Sequence, residues 1–87
     1  MRSACNLIEL NWVTIPEQSP VIGCSIRELQ IRKRTGISII AILQNGSLLM
    51  NPSPDFHFEV DDLVGVVSEA HQLDQFVKMT ASSDNFT

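Results

Sequence analysis

Long apolar runs are missing from this chain of 87 residues. A membrane-spanning helix needs roughly 18–20 consecutive apolar residues, and Pro16, Pro20, Asn45, Gly46 and Asp55 interrupt every stretch that starts toward that length. The opening residues, Met1-Arg2-Ser3-Ala4-Cys5, carry one positive charge but no apolar core before Glu9, so they do not read as a secretory signal. Basic residues are scarce: six Lys and Arg against ten Asp and Glu leave a net charge of −4. Their one cluster, Arg27, Arg32, Lys33 and Arg34, is too small a footprint for duplex nucleic acid, although it suits a small anion. Cysteine is limited to Cys5 and Cys24, with no CxxC spacing and with His57 and His71 remote in sequence, which argues against a disulfide framework or a zinc site and fits a reducing cytoplasm. Catalytic signatures are absent too. No serine sits in a glycine elbow, no glycine loop would cradle phosphate, and Asp55, Asp61 and Asp62 stand in turns without the alternating acidic pattern of a calcium loop. The reading is of a chain that is not an enzyme, with no metal and no resident cofactor.

What is present is a core. Apolar residues make up 44% and charged residues 18%, too apolar for a disordered tail and enough for one small domain whose surplus apolar surface meets a partner. From Leu7 to Ile15 apolar and polar residues alternate, predicting a strand with Ile8, Leu10 and Trp12 facing the core. Ser25-Ile26-Arg27-Glu28 has the spacing of a capping box and predicts a short helix carrying Ile26 and Leu29 inward. That helix continues irregularly through Ile31-Arg32-Lys33-Arg34 and stops at Gly36, which accepts a left-handed backbone. The β-branched run Ile37 to Leu43 predicts a strand covered on both faces. Asn45-Gly46 predicts a type I′ hairpin with Ser47 to Met50 returning antiparallel, and Asn51-Pro52-Ser53-Pro54-Asp55 a rigid loop. Phe56, Phe58 and Val60 alternate with His57 and Glu59 in a further short strand that ends at the turn Asp61-Asp62; Leu63 to Val67 form the next. Ser68 is the expected cap of a final helix with Ala70, Leu73, Phe76 and Val77 at helical spacing. His57 and His71 are expected on the surface. The result is an α+β fold, a small sheet sandwich in the order β-α-β-β-(β)-β-α, with an N-terminal extension over 1–6, the domain over 7–80 and a flexible tail over 81–87.

The stretch from Gly23 through Leu29, Ile31-Arg32, Thr35-Gly36 to Ile42 resembles the TrkA C-terminal (RCK C-terminal) domain family: a glycine, a short helix with Leu-x-Ile-Arg, Thr-Gly, then a β-branched strand. Asn45-Gly46, Asn51-Pro52-Ser53-Pro54-Asp55, an acidic turn and Leu63-Val64-Gly65-Val66-Val67 follow in the family's order, so the resemblance spans roughly Leu7 to Met79. Two positions depart from the pattern, Asp61 where the family usually has glycine and Ser68 where many members do. The resemblance implies a dimerising regulatory domain on the cytoplasmic side of potassium channels, potassium uptake systems or cation/proton antiporters, joined to a membrane transport domain; the small basic cluster adds the expectation that this domain binds no nucleic acid itself. It also implies a site, in one group for cyclic di-AMP on the twofold axis, made here by Ile26, Arg32, Ser38, Ile39, Asn51 and Pro54. In that site Arg32 would pair a phosphate and Ile26, Ile39 and Pro54 would wall an adenine, while Ser38 offers a hydroxyl where binders tend to carry an amide. A purely structural dimerisation module, or the effector domain of a transcription regulator, is compatible with the same resemblance.

Overall fold

Alternation places β1 at Glu9–Thr14, and its partner is not the next strand in sequence but the last. The computed structural model describes residues 8–82, so the extension expected over 1–6 and the tail beyond Ser82 lie outside the described residues. Ser25 caps α1 (Ile26–Leu29) through the reciprocal box expected: its Oγ accepts the Glu28 N–H at 3.0 Å, and Glu28 Oε1 accepts the Ser25 N–H at 2.8 Å. Gln30, left-handed at φ 50°, breaks the helix and starts α2 (Ile31–Thr35), which Gly36 ends at φ 85°. Chain reversal then launches β2 (Ser38–Gln44) and β3 (Ser47–Met50), joined by Asn45 and Gly46 at φ 52° and 82°, the two positive angles of a type I′ turn. β4 (Leu63–Ser68) and α3 (Ala70–Thr80) complete the chain.

The strands form one antiparallel sheet in the order β1-β4-β2-β3. The register pairs Trp12 with Gly65, Gly65 with Ala41 and Ala41 with Met50, and a bulge between Ile39 and Ala41 shifts the start of β2. The sandwich is therefore sheet against helices. Ile42, Val64 and Val66 from the sheet pack with Ile15, Val21, Ile31, Ile37, Phe58 and Phe76, all essentially buried. Each such side chain contributes roughly 1.5–3 kcal/mol by leaving water.

Three expectations change on contact with this arrangement. Ile8, Leu10 and Trp12 do not enter the core; all are exposed, and Val13 packs against it instead. Alternation divides a strand into two faces without saying which is inner. Here the indole of Trp12 lies over Gly65 on the outer face, so close that a Cβ on Gly65 would stand 2.9 Å from Trp12 Cζ3. The Phe56–Val60 segment makes only isolated bridges, Ile22 with Phe58 and Ser25 with His57. Its carbonyls, and that of Pro54, are taken by other donors: Phe56 O accepts the Ile26 N–H at 3.0 Å and Pro54 O the Arg27 N–H at 2.8 Å. It fills the free donors at the start of α1 rather than extending the sheet. Finally, the cap of α3 is Glu69, not Ser68; the Glu69 N–H donates to Gln72 Oε1 at 3.0 Å. Within α3, Phe76 is buried and Leu73 half-buried, whereas Ala70 and Val77 lie outside.

The acidic turn before β4 is tightly organised. Asp61 takes φ 69°, a region open to Asp at modest cost, which accounts for its standing where glycine is usual. Asp62 is buried, and its Oδ2 accepts the Glu59 N–H at 2.8 Å and Gln44 Nε2 at 3.1 Å. The backbones of Ile15 and Asp61–Asp62 exchange two further bonds of 2.8 and 2.9 Å, tying the end of β1 to the turn.

Candidate ligand site

The site exists because a strand stops early. β3 pairs with β2 only from Ala41 to Gln44, whereas β4 follows β2 back to Ser38. The last bond on the β3 side runs from the Asn51 N–H to Ile40 O at 2.8 Å. Pro52 and Pro54 then follow, and a residue without an N–H cannot prolong the ladder. Among the described residues, no strand covers the edge of Ser38 and Ile39 on that side.

Between that edge, the prolines and the two short helices lies a cavity of about 180 Å³ lined by Ile26, Ile31, Arg32, Ile37, Ser38, Ile39, Pro52 and Pro54. Five of the six residues expected at the site, Ile26, Arg32, Ser38, Ile39 and Pro54, are thus brought together. Asn51 is not among the lining. It is exposed at φ 49° and serves to end the ladder. Ile31, Ile37 and Pro52 were not singled out from sequence. Pro52 lay inside the marked proline loop, and the apolar positions either side of Thr35-Gly36 were the signal for the two isoleucines.

The charges around the cavity differ in how they are engaged. Arg27 pairs with Asp55 at 3.1 Å on the surface, a contact worth little in water, and Arg34 donates to Leu29 O at 3.4 Å. Among the described residues no carboxylate pairs with Arg32, which is exposed beside the cavity. The walls contain no carboxylate, imidazole or thiol, so they offer shape, a hydroxyl and a cation rather than groups for proton transfer. Such a lining can hold a flat apolar ring with an anionic group beside Arg32.

The cap of α1 sets one wall and is sensitive to acid. Glu28 is held below the ordinary carboxylate range, chiefly by the Ser25 backbone N–H it accepts, then by the Ser25 hydroxyl, with slight desolvation opposing and His57 adding a small favourable charge. The folded form therefore binds the proton less readily than the unfolded chain. Its contribution to stability is complete above the unfolded carboxylate pKa and is lost as pH falls through the lower folded value. In an NMR acid titration the Ser25 amide resonance should move with a midpoint below that of an unperturbed glutamate, and Glu28→Gln, which can still accept that bond, should remove the titration.

Comparison with known proteins places this geometry. The family described as the TrkA-C domain matches residues 10–81. The ammonium/H(+) antiporter subunit AmhM of Alkalihalophilus pseudofirmus is 27% identical over 78 residues, covering 90% of this chain and 47% of that protein. This chain thus spans about half the length of that curated relative. Among solved structures, the RCK_C domain dimer of S. agalactiae BusR in complex with c-di-AMP is similar at 25% identity and a TM-score of 0.78, over 82% of this chain and 88% of that one. The RCK C domain of the potassium transport protein KtrA, also in complex with cyclic diadenosine monophosphate, is similar at 28% identity and a TM-score of 0.75, over 82% and 81%. BusR bound to its busAB-promotor DNA shares the fold at 23% identity and a TM-score of 0.79, this chain covering 38% of it.

Proposed function

This chain belongs to the TrkA-C domain family, and from that membership we propose that it is a regulatory domain of a cation transport protein, pairing twofold around cyclic di-AMP held in the cavity beside Arg32. The observation that carries the reading is the cavity itself: apolar walls, a guanidinium that pairs with no carboxylate among the described residues, and a strand edge open beside it. Its volume of about 180 Å³ falls below the ~300–1,000 Å³ usual for a whole ligand site. A half-site of this kind suits a ligand with its own twofold axis, completed when a second copy brings its cavity across that axis. Arg32 pairs a phosphate, Ile26, Ile39 and Pro54 flank an adenine, Ser38 adds a hydroxyl, and Asn51 holds the rim.

Regulation follows if the nucleotide favours one arrangement of the pair, because a ligand with equal affinity for both arrangements shifts neither. The domain would then act on a membrane transport domain from the cytoplasmic side without catalysing a reaction. The antiporter subunit among its relatives favours transport as the setting. The likeness to the DNA-bound regulator is one of fold, and the small basic cluster gives this domain no duplex-binding surface of its own.

Calorimetric titration with cyclic di-AMP tests the proposal. The expected result is saturable binding at one nucleotide per two chains, weakened at least tenfold in Arg32→Ala, in line with ~1.5–3 kcal/mol for a hydrogen bond to a charged group. Arg32 is exposed, so the variant should keep its melting temperature. Absence of heat from the native chain would overturn the nucleotide site, and stable pairing without it would leave a structural dimerisation module.

A further inference from the structure

Among the described residues, no helix or loop covers the face of the sheet turned away from the helices. Its rows follow from the register: Leu10 beside Val67; Trp12, Gly65, Ala41 and Met50; then Thr14, Leu63, Leu43 and Leu48. Ile8, Leu10, Trp12, Leu48 and Met50 are between 46% and 60% exposed. The two central strands contribute small residues to this face: Gly65, which lies under the indole of Trp12, and Ala41, which is buried between Gly65 and Met50 in the register. The outer face is an apolar surface whose exposed side chains come from the two edge strands, Leu10 and Trp12 on β1 and Leu48 and Met50 on β3.

We infer that this outer sheet face is a second self-association surface, on which another copy of the chain packs sheet to sheet. Its extent is one argument. Five large side chains exposed to this degree present on the order of 500 Å² of apolar surface, near the upper end of what a monomer leaves bare. One side of a standard protein interface buries about 800 Å², a little over half of it apolar, so the patch supplies the apolar share of such a side.

Charge is the second argument. The chain carries a net charge of −4, yet no Asp, Glu, Lys or Arg stands in these rows. Two copies can meet here without opposing like charges, whereas an unrelated partner would find almost nothing polar by which to be selected. Shape is the third. Two such sheets stacked at the usual small angle, about 10 Å apart, can bring Leu10, Trp12, Leu48 and Met50 of one copy against those of the other. None of the apolar residues in these rows lines the ligand cavity, so this contact is separate from pairing around a nucleotide.

Trp12 is the chain's one tryptophan and lies in the proposed contact, so its fluorescence reports on this surface. Sedimentation velocity and Trp12 emission should be followed together on the 87-residue chain, without nucleotide, from low micromolar to submillimolar protein, for the native sequence and for Leu48→Lys. The expected result is an association step with a matching blue shift, both displaced at least tenfold to higher concentration by Leu48→Lys. Circular dichroism should show that variant fully folded, since Leu48 is exposed. A monomer throughout, an association step equally present in Leu48→Lys, or one that leaves Trp12 emission unmoved would each overturn the inference. The last of these would locate pairing elsewhere, at the cavity edge for instance, and leave the nucleotide reading standing.

Discussion

Phe58→Ala is expected to lower folding stability by about 3–5 kcal/mol, a large share of what a domain of this size possesses at roughly 0.1 kcal/mol per residue. Phe58 is 1% exposed in the central cluster. It meets Phe56 edge to face, with centroids 5.8 Å apart and planes at 76°, an arrangement that adds about 0.5–1.5 kcal/mol to area burial alone. Its backbone is committed as well. The Phe58 N–H donates to Cys24 O at 3.1 Å and its carbonyl accepts the Gly23 N–H at 2.8 Å. Those bonds hold the loop before α1 against the segment after the prolines, so the cavity left by truncation cannot close by a simple shift of one side. Urea denaturation followed by far-UV circular dichroism measures the loss as a lower midpoint. Phe56→Ala, at a half-buried position, should cost distinctly less, and equal losses would mean that Phe58 is not the anchor of this segment.

Gly36→Ala should cost about 2–3 kcal/mol, from two causes that a control separates. Gly36 sits at φ 85°, which any L side chain resists by roughly 1–2 kcal/mol. An added Cβ would also come within 2.6 Å of Gln72 Nε2. Gln72 is not free to retreat, because its Oε1 accepts the Glu69 N–H that opens α3. Gly46 has nearly the same angle, φ 82°, but nothing within 4 Å of where a Cβ would stand. Gly46→Ala should therefore show the backbone cost alone, ~1 kcal/mol. The difference between the two melting curves measures how firmly α2 and α3 are locked together, and identical curves would show that Gln72 yields freely.

These two positions also show which parts of the molecule its sequence disclosed. The capping box at Ser25 and Glu28, the stop at Gly36 and the turn at Asn45-Gly46 were legible because each depends on a few neighbouring residues and a local steric rule. The failures share a different character. Alternation identified β1 but not which side of it faces the helices, a choice made by β4, more than 50 residues later in the chain. Phe56 and Phe58 were correctly placed inward, yet their segment became a brace for α1, because its carbonyls met unpaired donors there before any strand. In α3 the stripe that meets the core is narrow enough to bury Phe76 while Val77, about 100° further round the helix, stays exposed. In the site, the resemblance supplied the residues that converge, while Ile31 and Ile37 needed the tertiary path of the chain around Gly36 to show that they line the same space. Asn51 was chosen with them, but its backbone acts one step earlier, ending β3.

Pro52 and Pro54 have a further consequence, for strand addition at the open end of β2. A bare strand edge is a template on which other strands can add without limit, and that is how many sheet proteins come to aggregate. Here the uncovered stretch of β2 is confined to Ser38 and Ile39, with β3 shielding everything from Ala41 onward. Prolines stand guard where further pairing would begin. The opening is long enough to admit one small guest, and too short for a foreign strand to take hold and grow.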